Sequence, residues 1–287
     1  MKKTIGFIDN FIDEWHANNY PQWIAESSLK DEFELTYAWE KAPHSGLRPL
    51  EKWCADMGMI PARSLEEVVD KCDCIAVLSP DNAELHEELA DYALRSGKPV
   101  YVDKTFAPDL ASAKRMFHLA RTHHTPLMST SALRYAQGLT DLLDKKPAEE
   151  QIHYVCTFGS GVQFEIYGVH QAEMLVHAMG TGAKRIMVNR AGRNRSVTVD
   201  YGDGRLGAIN YLPGLNFRVM LQYGENNCLD TGDLGGNYFQ IFLEHMLKFF
   251  KTGVSLVPEE QTLEVMAILD TAFKAQNTPG VWLNTVV

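Results

Sequence analysis

The residues of this chain that could do chemistry lie in two short stretches. The first is Val100-Tyr101-Val102-Asp103-Lys104-Thr105, an apolar run that stops on an acid and a lysine. Ligands of open α/β sheets sit outside the carboxyl ends of the strands. A lysine delivered there is either a functional cation or half of an ion pair, with Asp103 or Glu173 as its partner. The second stretch runs from Glu165 through Tyr167 and His170 to Glu173. His170 and Glu173 are three apart and share a helix face, with His177 one turn further on. A histidine suits proton transfer near neutral pH, and a lysine suits the stabilisation of a developing oxyanion. A metal on His170, Glu173 and His177 is the weaker reading. The spacing is not a zinc pattern and no ligand from a third segment stands out, so no metal is expected.

The elements that must position these residues follow from hydrophobic pattern. Short apolar runs at residues 3–8, 34–39, 74–78, 100–102 and 126–130 read as strands. Helical patterns separate them at 14–29, 50–57, 82–96 and 108–122, and Ser64 with Glu67 forms a capping box for one more. Pro21 suits a first helical turn, so the 14–29 helix is expected to bend or restart there. Alternation of this kind predicts right-handed βαβ units and a doubly wound parallel sheet of Rossmann type. After residue 134 the pattern changes. Strand-like runs at 152–158, 183–189, 196–201, 205–212 and 217–223 follow, with Gly202-Asp203-Gly204 as a hairpin turn. Helices are expected at 168–179, 238–251 and 259–275. The expected fold class is therefore α/β. Residues 1–134 would form a dinucleotide-binding domain, and 135–287 an α+β substrate-binding and oligomerisation domain with a mainly antiparallel open sheet.

The first β-to-α turn does not carry the glycines that let backbone N–H groups approach a pyrophosphate. After Gly6 comes Phe7-Ile8-Asp9-Asn10-Phe11-Ile12-Asp13-Glu14, with three acids and no glycine. One like charge facing a pyrophosphate at about 4 Å would oppose binding by roughly 4 kcal/mol at an effective dielectric near 20. Either these carboxylates point away, or a cofactor sits differently, or there is none. Asp13 could instead cap the following helix. Glu40 stands where an acid commonly meets the adenosine ribose, which favours NAD over NADP.

The chain has 287 residues, 45% of them apolar, and a net charge of −10 spread along its length. That balance argues against nucleic acid and anionic membrane surfaces as partners. No run approaches the roughly 20 uncharged residues that span a bilayer, and nothing at the N-terminus reads as a secretion signal. Five cysteines without zinc-type pairing fit reduced thiols and a cytoplasmic setting.

Ser79-Pro80-Asp81-Asn82, His86, Ser96-Gly97-Lys98-Pro99 and Asp103-Lys104-Thr105 together resemble the Gfo/Idh/MocA oxidoreductases, the glucose–fructose oxidoreductase and inositol dehydrogenase relatives. That family carries Glu-Lys-Pro after its fifth strand, with the proline tending to be cis; this chain has Asp-Lys-Thr there. Tyr167 to Leu175 resembles the family's Gly-x-His-x-x-Asp segment, and Thr252-Gly253 with Pro258-Glu259-Glu260 its usual ending. The resemblance spans the chain. It implies a cofactor held along Ile8, Asp9, Asn10, Phe11, Ile12, Glu40, Ser79, Pro80, Asn82, His86, Asp103 and Lys104. It implies Lys104 and His170 flanking the nicotinamide and the substrate hydroxyl, with Glu173 and Glu165 as further catalytic candidates. The family's aspartate four residues before the histidine is Ile166 here, so Glu165 or Tyr167 would have to replace it. Arg134, Tyr135 and Tyr167 would orient a small, carbohydrate-like substrate. The expected activity is hydride transfer from a sugar or polyol carbinol to NAD, with NADP less favoured, by a homodimer or homotetramer. The alternative is a cofactor-free relative that binds a small ligand or partner without redox turnover.

Overall fold

The computed structural model describes residues 2–285. The chain divides into two compact units, Met1–Thr130 with Phe239–Pro258, and Ser131–Tyr238 with Glu259–Val287.

In the first unit, strands β1 (Lys3–Asp9), β2 (Phe33–Glu40), β3 (Ile60–Pro61), β4 (Cys74–Val77), β5 (Val100–Val102) and β6 (Leu127–Met128) form one sheet in the order β3-β2-β1-β4-β5-β6. All its pairings are parallel. β4 and β5 are buried at every position, as strands covered on both faces must be. Helices α1 (Trp15–Glu26), α2 (Leu50–Met57), α3 (Leu65–Lys71), α4 (His86–Leu94) and α5 (Leu110–Thr122) connect the strands. The strand order reverses between β1 and β4, which is the position that holds ligands in such sheets.

Several local expectations shift. α1 begins at Trp15 with Glu14, not Asp13, as its N-cap, and Pro21 lies inside the helix instead of in its first turn. The 82–96 segment opens as a 3-10 turn, Ala83–Leu85, before α4. Ser64 caps α3 as expected, its side chain accepting from the Glu67 N–H at 3.3 Å, but Glu67 reaches back to the Arg63 N–H at 2.8 Å.

In the second unit α6 (Gln137–Asp144) precedes β7 (Ile152–Gly159), and α7 (Phe164–Met179) follows it. Then come β8 (Arg185–Ala191), β9 (Asn194–Asp200), β10 (Leu206–Tyr211), β11 (Arg218–Tyr223) and β12 (Asn227–Asp230). Helices α8 (Tyr238–Thr252) and α9 (Glu259–Ala275) and strand β13 (Trp282–Asn284) complete the chain. The sheet runs β12-β11-β7-β10-β9-β8-β13 and is antiparallel except where β10 lies parallel to β7. Val155, Val199, Ile209 and Leu221 are buried on the face that α7 and α9 cover. Tyr154, Leu206 and Met220 are exposed on the other face.

Helix α8 returns to the first unit from Phe239 onward, which a cut of the chain at 134/135 does not contain. Its apolar side, Phe242, Leu243, Met246, Leu247, Phe249 and Phe250, is buried. There Phe242 meets Tyr101 at 5.4 Å between rings, and the Phe250 carbonyl accepts from Lys3 Nζ at 3.1 Å. No helix among the described residues is long and apolar enough to cross a membrane. None of the five cysteines is in a disulfide, and all but Cys228 are buried.

Gly6 packs strand against helix. A Cβ there would lie 2.3 Å from Val68 Cγ1 and 2.8 Å from Cys72 Sγ. Gly6→Ala is therefore expected to destabilise the protein by about 1–3 kcal/mol. The readout is a lower urea midpoint at unchanged m-value; an unmoved midpoint would show that α3 can shift freely.

Candidate active site

Strand β1 delivers Asp9 to the carboxyl edge of the first sheet, and four bent residues lead to Glu14. The Glu14 side chain folds over the start of α1. Its Oε2 accepts from the His16 N–H at 2.7 Å and its Oε1 from the Ala17 N–H. Two of the four donors that a helix start leaves open are thus taken by the chain's own carboxylate. Glu40, ending β2, is buried and also turned inward, accepting from the Ile12 N–H at 3.0 Å and the Leu50 N–H at 3.3 Å. Asp13 points elsewhere, to Arg48 Nη2 at 2.7 Å. Phe11 packs near His44, with ring centres 5.4 Å apart and the planes tilted by 48°. Asn10 Nδ2 donates to Asn82 Oδ1 at 3.3 Å, so this turn reaches the loop after β4. Ile8 is a core residue at 0% exposure.

β5 delivers Asp103 and Lys104 to the same edge. The peptide between Lys104 and Thr105 is cis, in the place where the family has a proline. Lys104 is 7% exposed, and its ammonium donates to the Pro80 carbonyl at 3.0 Å. Asp103 meets His16 Nδ1 through one oxygen and accepts from the Tyr101 hydroxyl at 2.8 Å and the Lys104 N–H at 2.7 Å through the other. Fully buried His86 presents Nε2 to the Leu78 carbonyl at 2.8 Å and Nδ1 to the Phe106 carbonyl at 3.1 Å. It thereby ties the end of β4 to the loop after β5. Ser79 has φ +64, in the left-handed region that favours glycine. Its buried hydroxyl has no hydrogen-bond partner among the described residues.

The charges at this edge are dealt with individually. Burial raises the Asp9 carboxyl well above its ordinary range, and the Glu14 charge adds to the effect. Burial likewise pushes Glu14 up to about 7. Burial also works to raise Asp103, but His16, by charge and hydrogen bond, and then Lys104 outweigh it and hold the carboxyl at about 2. The Arg48 hydrogen bond holds Asp13 below the usual carboxylate range. The turn that reads as strongly acidic therefore carries less negative charge at neutral pH than its composition implies. His16 was not among the residues singled out from the sequence. Nothing local marks it, because its partner is 87 positions away.

The second unit places its candidates on α7 and on the 3-10 turn Ala132–Tyr135. His170 Nδ1 meets Ser131 Oγ at 2.7 Å, and its ring lies 5.5 Å from those of Tyr167 and Phe217. Glu173 turns to Arg134, Oε2 to Nη1 at 3.0 Å, and both side chains are at most 5% exposed. Arg134 also donates to Gln261 Oε1. Glu165 is exposed and accepts from Gln276 Nε2 at 3.2 Å, away from the His170 face. Burial, with Arg134 nearby, brings His177 down to about 4, so it is neutral at physiological pH. Tyr135 is partly buried beside Arg134 in the same turn. Among the described residues no group of three His, Cys, Asp or Glu side chains is placed to hold a metal.

Two predictions follow from these environments. Glu173→Ala strands the buried Arg134 guanidinium, so it should cost about 3–5 kcal/mol of stability; an unchanged melting temperature would show that the pair is not structural. Glu14, raised from its ordinary 4.5, contributes stability that is full below pH 4.5 and lost as the pH rises through about 7. Unfolding free energies should therefore fall between pH 5 and pH 8 by on the order of 3 kcal/mol more in the wild type than in Glu14→Gln. Parallel curves for the two proteins would contradict the buried environment described for this carboxyl.

Comparison with known proteins agrees with this architecture. Residues 19–131 match a family model described as "Oxidoreductase family, NAD-binding Rossmann fold", beginning just past the Asp9–His16 turn. An uncharacterized oxidoreductase, YhhX, of Escherichia coli (strain K12) is 43% identical over 58 residues, 20% of this chain. That match spans only 17% of the length of YhhX. The WlbA dehydrogenase from Bordetella pertussis, solved with NADH and UDP-GlcNAcA, superposes with a TM-score of 0.79 at 15% identity over 100% of both chains. The myo-inositol 2-dehydrogenase from Lactobacillus plantarum gives 0.80 at 13% identity, again over 100% of both. At those identities the likeness is one of fold. Over residues 19–131 the chain thus matches the NAD-binding Rossmann fold of the Gfo/Idh/MocA oxidoreductase model, and its two units have the fold of the dehydrogenases named above.

Proposed function

We propose that this protein is an NAD-dependent dehydrogenase of a small sugar- or polyol-like carbinol. The observation that carries the reading is Lys104. A nearly buried ammonium is delivered by β5 to the carboxyl edge of a Rossmann-type sheet, held there by the neutral Pro80 carbonyl, with no carboxylate bridge to it among the described residues. The start of α1 fits a dinucleotide in kind, because its N–H groups already hold two acceptor oxygens, those of the Glu14 carboxyl group.

A bound nicotinamide supplies the hydride acceptor. Lys104 is the group assigned to steady the substrate oxygen as it gains negative charge. His170, oriented by Ser131, is assigned to take the hydroxyl proton. NAD is proposed over NADP because Glu40 ends β2; its carboxylate is taken up by the Ile12 and Leu50 N–H groups, so it would act on a further phosphate through its charge and not through a contact. The substrate class is supported by proteins of the same fold. One is solved with NADH and UDP-GlcNAcA, and another is a myo-inositol 2-dehydrogenase. Arg134 supports substrate binding only indirectly in this reading, since its guanidinium is occupied by Glu173 and Gln261. A homo-oligomer belongs to the same proposal, on the strength of the exposed Tyr154, Leu206 and Met220 on one sheet face. So does a cytoplasmic setting, on the strength of five free thiols.

Calorimetric titration with NAD, NADH, NADP and NADPH tests the cofactor. Micromolar binding of NAD(H), weaker for NADP(H), is expected; silence to all four would overturn the reading. With a turned-over polyol in hand, Lys104→Met and His170→Ala should each lower kcat by roughly 10²–10⁴-fold. Undiminished turnover in either variant would remove that residue from the mechanism.

A further inference from the structure

The N-cap of α1 is an unusual choice. Short side chains such as Ser, Thr, Asp and Asn normally fill that position. Glu14 is longer, and it uses its length to set both oxygens over the first turn, on the His16 and Ala17 N–H groups. It is only 9% exposed. These are the donors, at the positive end of a helix dipole, that hold a phosphate in a dinucleotide fold.

Resting on the dinucleotide reading above, we propose that Glu14 is an internal competitor for the cofactor pyrophosphate, and that a dinucleotide binds only as this side chain leaves the His16 and Ala17 N–H groups. The surroundings make the exchange feasible. The titratable groups that face Glu14 are Asp9 from β1, His16 and Tyr20 on α1 itself and Asp103 from β5. Asp103 is engaged by His16 and Tyr101, so it is not available to hold Glu14. Asp9 is 1% exposed, and its Oδ2 has no hydrogen-bond partner among the described residues. Asp9 and Glu14 thus share one buried turn, where His16 is the neighbouring charge that works to keep Glu14 ionised. Burial, with a smaller push from the Asp103 charge, outweighs His16 and the two N–H groups and brings Glu14 to about 7. Around neutral pH it is therefore often a neutral carboxyl, a poorer acceptor for the two N–H groups than a pyrophosphate. The sign of the pH effect follows: protonation of Glu14 frees the cradle, so dinucleotide affinity rises as the pH falls from 8 to 6. For a single carboxyl titrating near 7 the change is about tenfold.

The test compares wild type with Glu14→Ser, which keeps a short N-cap while removing the carboxylate, and with Glu14→Gln. Dissociation constants for NADH, ADP-ribose and adenosine are measured by calorimetry at pH 6 and pH 8, with thermal melts to confirm folding. At pH 8, Glu14→Ser should bind NADH and ADP-ribose about tenfold more tightly than wild type. Adenosine, which lacks the pyrophosphate, should show no gain. The pH dependence should flatten in both variants. Equal NADH affinity and equal pH dependence in wild type and variants would overturn it while leaving the dehydrogenase reading intact, as would an equal gain for adenosine. Silence of every protein toward NADH and ADP-ribose would overturn both.

Discussion

Four carboxyl groups, Asp9, Glu14, Glu40 and Asp103, are buried at the carboxyl edge of one parallel sheet, and the rest of the first unit is arranged around that fact. In a medium of low dielectric such charges repel strongly and lose their hydration. Each is resolved by a different means. Glu40 is bound by backbone N–H groups of the turn and of α2. Asp103 stays ionised because His16 and Lys104 stand beside it. Asp9 and Glu14 shift toward the neutral form instead. The turn after β1, the first turn of α1 and the loop after β5 are held together by these solutions.

The second unit meets the same difficulty with an ion pair. Glu173 and Arg134 are both buried, and each neutralises the other. Gln261 takes a second guanidinium donor, so little of the pair is left unsatisfied. Such a pair adds less to stability than it removes when broken. It positions α7 relative to the 3-10 turn that carries Ser131, and Ser131 in turn orients His170.

Much of the fold was legible in the order of residues. Runs such as 74–78, apolar without alternation, mark strands buried on both faces, and only a parallel sheet covered by helices provides that environment. Ser64 and Gly202-Asp203-Gly204 are read correctly because a cap and a hairpin are decided within a few residues. The return of α8 to the first unit is a different matter. Its apolar side is periodic like any other helix, and the period does not say which core receives it. The parallel pairing of β10 with β7 is likewise a long-range choice, as is the addition of β13 to the edge at β8. The terminal strands β12 and β13 are four and three residues long, too short for a pattern to establish.

The sequence by itself determined the inventory and its placement along the elements. A lysine ends a buried strand, a histidine and a glutamate share a helix face, and an acidic turn stands where phosphate glycines are usual. Those statements depend on residue type and local spacing, which the chain carries in one dimension. Only the tertiary structure decided what each charge meets. It sent Asp13 to Arg48, gave Glu173 to Arg134, set Asp103 against His16 and laid Glu14 over its own helix start. Coulomb attraction and desolvation depend on distance and burial, and the residues concerned are up to 87 positions apart. The ionisation of the acidic turn, and with it the behaviour proposed for the cofactor site, is therefore a property of the folded arrangement.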